Sequence, residues 1–202
     1  MKHLKALGAA ILAAMALLAL GGASSAQATV LCSTTATPCG SSWHVTTVHE
    51  VLDAGVTIRL IFVSIKITCT GATRHTTITP TGSSTTTAGG TIGAGELTWS
   101  GCSNTMHTLA GGTLEYHHIA GTDNATVTAK GLEITATLSG VSCTYGAGAG
   151  VDFGTLTGGS PAKLDVRATL AKVAGSFLCP SSGELEGTYE ITSPSGVYVE
   201  PS

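Results

Sequence analysis

The sequence predicts an all-β, antiparallel protein of the β-sandwich or barrel-like kind, stapled by disulfides and preceded by a signal peptide. Three observations carry this. From residue 29 onward 33 of 174 residues are threonine, whose β-branched side chain prefers extended backbone and packs its methyl against cross-strand neighbours. Short alternating apolar segments recur between glycine-rich turns, and none beyond the first 28 residues repeats apolar positions at helical spacing. All six cysteines, Cys32, Cys39, Cys69, Cys102, Cys143 and Cys179, fall after residue 28, an even count suited to an oxidising compartment.

Residues 1–28 carry Lys2 and Lys5, an apolar run over 9–20, and the small-residue triplet Ala26-Gln27-Ala28. That order is the one of a secretory signal peptide, cleaved after Ala28. The apolar run falls short of the roughly 20 residues a bilayer-spanning helix needs, and no later stretch is long enough, so the mature chain is expected to hold no transmembrane segment. Loss of Lys2 and Lys5 leaves 7 basic against 12 acidic residues, a net charge of −5. Such a chain has no basic surface to neutralise phosphates, which excludes nucleic acid as a partner. Residues 29–202 are read as one secreted β-rich domain, extracellular or associated with the cell envelope.

The elements follow in order. Residues 43–52 give a first strand and Asp53-Ala54-Gly55 a turn. Residues 56–69 form the strongest strand-like run, with inward parity passing from Val56, Ile58, Leu60 and Phe62 to Ile61, Val63, Ile65 and Ile67. A β-bulge near Ile61 and Phe62 would produce that switch; burial of both faces is the alternative. Residues 81–95, almost wholly Thr, Ser, Gly and Ala, read as a loop or long hairpin tip. Further strands are expected at 96–99, 113–119, 125–130, 132–138, 141–145, 151–156, 162–173, 184–192 and 197–199. The total, about ten to twelve short strands, is that of a sandwich or barrel, and no fixed-period repeat points to a solenoid.

Six cysteines allow fifteen pairings, and sequential pairing is preferred because Cys32 and Cys39 flank a short loop while Cys69 and Cys102 each follow a strand-like run. Each longer link, Cys69 to Cys102 and Cys143 to Cys179, would contribute about 3–4 kcal/mol on a loop-entropy model. A metal-thiolate or redox site would call for C-x-x-C spacing, which is missing.

Gly121-Thr122-Asp123-Asn124-Ala125-Thr126-Val127, Ser142-Cys143-Thr144, the Gly150 to Gly158 stretch containing Gly154-Thr155-Leu156-Thr157-Gly158, and Glu186-Gly187-Thr188-Tyr189 resemble segments of a group of uncharacterised secreted Thr/Gly-rich β-proteins of actinobacteria. The resemblance covers the last third to half of the chain. It implies export and β architecture and brings no activity with it.

Candidate chemistry is sparse. His49-Glu50-Val51-Leu52-Asp53 is similar to part of a zinc-protease helix motif, but the second histidine is replaced by Asp53 and the surroundings favour strand. His117 and His118 are adjacent on a strand and so point to opposite faces, although one could join His107 or Glu115 across strands. Glu184 and Glu186 share a strand face, and Asp152 and Asp165 lie on neighbouring strands, which would suit a two-carboxylate hydrolase if their separation were right. Trp43, Trp99 and Tyr116 are the aromatic residues that a carbohydrate-binding module would line up on one face. No G-x-S-x-G or phosphate loop is present, and no cofactor, metal site or catalytic residue is expected. The preferred function is a non-catalytic structural, adhesive or binding module, with cell-wall or glycan contact open; an extracellular hydrolase and a carbohydrate-binding module are the alternatives.

Overall fold

Alternation and glycine spacing produce strands almost throughout the computed structural model, which describes residues 29–36, 39–79 and 87–201. In chain order the strands are β1 (Thr29–Cys32), β2 (Thr47–Leu52), β3 (Ile58–Ile61), β4 (Lys66–Thr79), β5 (Ala88–Thr91), β6 (Leu97–Cys102), β7 (Met106–Ala110), β8 (Thr113–His118), β9 (Ala125–Lys130), β10 (Glu133–Leu138), β11 (Val141–Gly146), β12 (Val151–Thr157), β13 (Lys163–Gly175), β14 (Ser182–Ser193) and β15 (Tyr198–Pro201). A single 3-10 turn at Ser41–Trp43 is the one helical piece among the described residues. No helix among them is long and apolar enough to cross a membrane. The predicted signal peptide lies outside the described residues.

Thirteen strands form one antiparallel sheet, and this sheet closes on itself rather than splitting into two packed layers. Three long strands, β4, β13 and β14, run through the whole barrel and make two tiers. In one tier β14 pairs with β2, β2 with β4, and the ring continues through β5, β8, β9 and β12 back to β13 and β14. In the other tier β3 takes the place of β2, and β6, β7, β10 and β11 lead from β4 back to β13. Between β6 and β7 side chains complete this second circuit. The Trp99 indole N–H donates to the Thr108 hydroxyl at 3.0 Å, which donates to the Leu97 carbonyl at 2.8 Å. Closure leaves few free sheet edges, the usual hazard of a strand-rich chain.

The inward residues of both tiers make one continuous apolar cluster, from Ile58, Leu60 and Ile67 to Leu164, Leu170 and Val199. Strands β1 and β15 pair as a separate ribbon laid against β5 and β8. Disulfides join Cys32 to Cys39, Cys69 to Cys102 and Cys143 to Cys179, which is the sequential pairing.

Three expectations need correction. The parity switch near Ile61 and Phe62 is a chain reversal between β3 and β4, where the Phe62 N–H donates to the Ile65 carbonyl at 2.8 Å, and not a bulge within one strand. The strand expected first, at 43–52, is the second, β2, and begins only at Thr47, because residues 41–43 turn instead of extending. Within the expected loop at 81–95, residues 88–91 form β5; the part at 81–86 lies outside the described residues. Gly90 explains why so poor a strand former sits there: a β-carbon would collide with the Thr76 methyl and crowd the Tyr116 ring.

Candidate functional site

Most of the sequence-nominated carboxylates fall on the outer face of β12, β13 and β14. There they are engaged with one another's partners. Arg167 bridges Glu184 at 3.3 Å and Glu186 at 3.2 Å, and Glu186 also accepts from Arg59 at 2.9 Å. The Thr188 hydroxyl donates to Asp165 at 3.0 Å. Lys163 contacts Asp53 at 2.6 Å; hydrogen bonding to Lys163 holds the Asp53 carboxyl below its usual range, and the same bond raises the Lys163 pKa. The hydrogen bond to Glu186 likewise raises that of Arg167.

Two shallow concavities share Arg167. One, of about 300 Å³, opens where the chain crosses from β2 to β3 and is lined by Arg59, Asp165, Glu186 and Gly187. Here β14, still paired with β13 on one side, has no ladder partner on the other at Gly187 and Thr188, since β3 stops opposite Glu186 and β2 begins opposite Tyr189. The second, of about 370 Å³, has Asp152, Gly154 and Thr155 in its wall. Glu184 and Glu186 do share a face, as alternation requires, but both are bound to Arg167. This is a cross-strand ion-pair network.

The histidines are dispersed. His49 lies against His75 with ring centroids 4.0 Å apart and planes tilted by 42°, and its Nδ1 lies 3.0 Å from the Thr192 hydroxyl. His118 contacts the Thr122 carbonyl at 2.7 Å, while His117 is 4.0 Å from Glu115 on its own strand. His107 lies on β7, in the other tier. No group of three or more metal-ligating side chains is placed to hold an ion among the described residues. Trp43 is exposed on the 3-10 turn, Trp99 is half-buried on β6, and Tyr116 is inside the barrel, so the three make no common platform.

Glu50 and Arg74, which sequence reasoning treated as a motif fragment and as nothing, form a fully buried ion pair inside the β2-containing tier. Burial alone would lower the arginine pKa, but the Glu50 charge beside it raises it. The guanidinium carbon lies 5.4 Å from the Tyr189 ring centre and 5.6 Å from that of Phe153. Both terminal nitrogens lack a hydrogen-bond acceptor, leaving the ring faces as their electrostatic partners. The signal was available: Glu50 continues the inward parity of Val48, and Arg74 that of Ala72 and Ile78.

The least satisfied part of the surface is one end of the barrel, where β3 turns into β4 and β13 into β14. Phe62 packs inward on Gly183 and on the Tyr145 ring, with centroids 4.9 Å apart, and the next residue, Val63, is thrown fully into solvent. Beside it the segment 176–181 presents Phe177, 91% exposed, and Leu178, 64% exposed. These side chains are held out by a firmly tied turn. The Ser176 hydroxyl accepts from the Leu178 N–H at 3.1 Å, and the Cys179 N–H donates to the Ser176 carbonyl at 3.1 Å. Lys172 reaches beneath the turn to the carbonyls of Ser176 and Cys179 at 3.4 Å, and the Cys143–Cys179 disulfide ties it to β11. Among the described residues nothing covers these apolar side chains. Sequence reasoning missed this site, whose only sign is a Phe-Leu pair beside a cysteine within a turn-forming segment.

No protein-family model, curated protein or solved structure matches this chain.

Proposed function

We propose that the protein is an exported, non-catalytic binding module acting at or outside the cell envelope, and that it engages its partner through the barrel end bearing Val63, Phe177 and Leu178. The observation that carries this reading is the display of these three apolar side chains on neighbouring turns. Water contact with such groups is unfavourable, at about 25 cal/mol per Å² of apolar surface, and a partner would remove it. The filled barrel and the sulfur bridge beneath the turn keep the display rigid, so little conformational freedom is lost on binding. Export agrees with the leader-like residues 1–28 and the three disulfides, and with the resemblance to secreted Thr/Gly-rich β-proteins.

Fractionation of cells producing the wild type or Phe177→Ser/Leu178→Ser tests the reading. The wild type is expected outside the cytoplasm and retained by the envelope, and the double variant is expected in the medium. A wild type confined to the cytoplasm, or retention indifferent to the substitutions, would contradict it.

A further inference from the structure

We infer that His49 and His75 form a two-imidazole site for a divalent transition-metal ion, Cu2+ above others, on the outer face of the barrel and separate from its apolar end. The two residues are direct partners on the ladder between β2 and β4. Val48, Glu50, Arg74 and Thr76 are buried, so alternation sends both imidazoles outward, His49 half-buried and His75 exposed. The His75 N–H donates to the Glu96 carbonyl at 2.9 Å, away from β2. The pair is therefore of the non-hydrogen-bonded kind, whose side chains approach most closely. Ring centres accordingly lie 4.0 Å apart.

The hydrogen bonding of His49 leaves a ring nitrogen free to bind a metal. Ile191 lies opposite Glu50 and Ser193 opposite His49, so Thr192 is an extra residue in β14, a bulge that brings its hydroxyl to the ring. That hydroxyl has one proton and donates it to the His49 carbonyl at 3.2 Å. In its 3.0 Å contact with Nδ1 the ring N–H is then the donor, and the lone pair is left on Nε2. Tying one ring nitrogen to an oxygen acceptor is how proteins orient the histidines that ligate metals. His49 opens the motif fragment whose second histidine is replaced by Asp53; the partner that the helical spacing lacks is supplied across the ladder by His75.

The spacing suits a single ion. Two imidazoles bound at a right angle, with metal–nitrogen distances of roughly 2.0–2.1 Å, place their ring centres about 4.5 Å apart, so the pair has to open by only about 0.5 Å. Around it the strands set Thr47, Val51, Thr73, Thr77, Thr192 and Glu96, none of them cationic. Two protein ligands are placed here, and solvent supplies the rest of the coordination shell. Imidazole nitrogen suits copper, nickel and zinc, and affinity among these divalent ions peaks at Cu2+. All six cysteines are in disulfides, so no thiolate competes for the metal.

Titration of the purified protein with Cu2+, followed by calorimetry and by electron paramagnetic resonance of the frozen complex, tests the proposal. The wild type is expected to bind one ion more than His49→Ala/His75→Ala, and that ion should show imidazole nitrogen hyperfine structure. His75→Ala, at an exposed position, should weaken its binding at least about tenfold, and it keeps the test open should the double variant fold poorly. Thr192→Val, which removes the acceptor of the Nδ1–H and keeps the β-branched shape, should weaken it about tenfold. His117→Ala/His118→Ala should leave it unchanged. Metal-free thermal melts of the His75 and Thr192 variants should match the wild type, since both side chains are exposed, whereas Cu2+ should raise the wild-type Tm more than that of the double variant.

Equal Cu2+ uptake by the wild type and the double histidine variant, or binding that survives His75→Ala undiminished, overturns the assignment. Neither result bears on the barrel end carrying Phe177 and Leu178, whose test is retention by the envelope.

Discussion

Arg74 on β4 and Glu50 on β2 face each other across one ladder at the centre of the barrel, both fully buried, with the guanidinium lying between the rings of Phe153 and Tyr189. The pair fills the interior that a ligand-binding barrel would leave open, and its orientation depends on both partners being charged. Removing either one leaves an uncompensated charge in an apolar surrounding, which costs about 3–5 kcal/mol. Glu50→Leu and Arg74→Met are each expected to destabilise by that order in urea unfolding, and Glu50→Leu/Arg74→Met to be closer to wild type than either single variant. Additive losses would show that the two residues act separately.

Burial raises the pKa of Tyr116, Tyr145 and Tyr189 above the ordinary tyrosine value. A raised folded pKa contributes stability that is complete below the unfolded value and lost as pH climbs toward the folded one. Stability should therefore be level through neutral pH and decline above about pH 10. Ultraviolet titration is expected to show these phenols ionising only as the protein unfolds; normal ionisation of all four tyrosines in the folded protein would contradict their placement.

The disulfides differ in the length of chain they close. Cys69–Cys102 and Cys143–Cys179 span separations of 33 and 36 residues, Cys32–Cys39 only 7. Replacing either long pair with alanines is expected to cost about 3–4 kcal/mol, and the short pair about 2–3 kcal/mol. Denaturant melts of the three double variants, compared at one temperature, check the order.

On the outer face Arg167 joins Glu184 and Glu186, but its own side chain is 74% exposed. Solvent screens such pairs, so Arg167→Ala should change stability by less than about 1 kcal/mol. A larger loss in a thermal melt would show that the network holds the sheet together more firmly than its exposure implies.

The strand content was legible because threonine and alternation carry it directly: residues 125–130 were expected as a strand and form β9, and the run at 162–173 corresponds to β13. Of the strands that escaped, β7 alternates but is only five residues long, and β1 and β5 had no pattern to read. β1 is buried at all four positions and so does not alternate, and β5 is Ala-Gly-Gly-Thr, admitted only because its neighbours occupy the space of a missing side chain. The change of parity after Phe62 was visible, but a bulge and a tight reversal both change parity, and composition alone did not separate them. Closure into a barrel depends on β14 meeting β2 and β2 meeting β4, pairings distant in sequence that no local pattern encodes. The Phe177 and Leu178 site was hidden for a related reason. Apolar residues near a cysteine ordinarily signal core, and only the turn geometry turns them outward.

Intact mass of the protein recovered from the envelope fraction of producing cells, measured without reductant, tests export and sulfur bridging together. A chain beginning at Thr29, lighter by the hydrogens lost in forming three disulfides, is the expected product. A product that keeps residues 1–28, or one whose cysteines react with a thiol reagent while the protein is folded, would contradict the account.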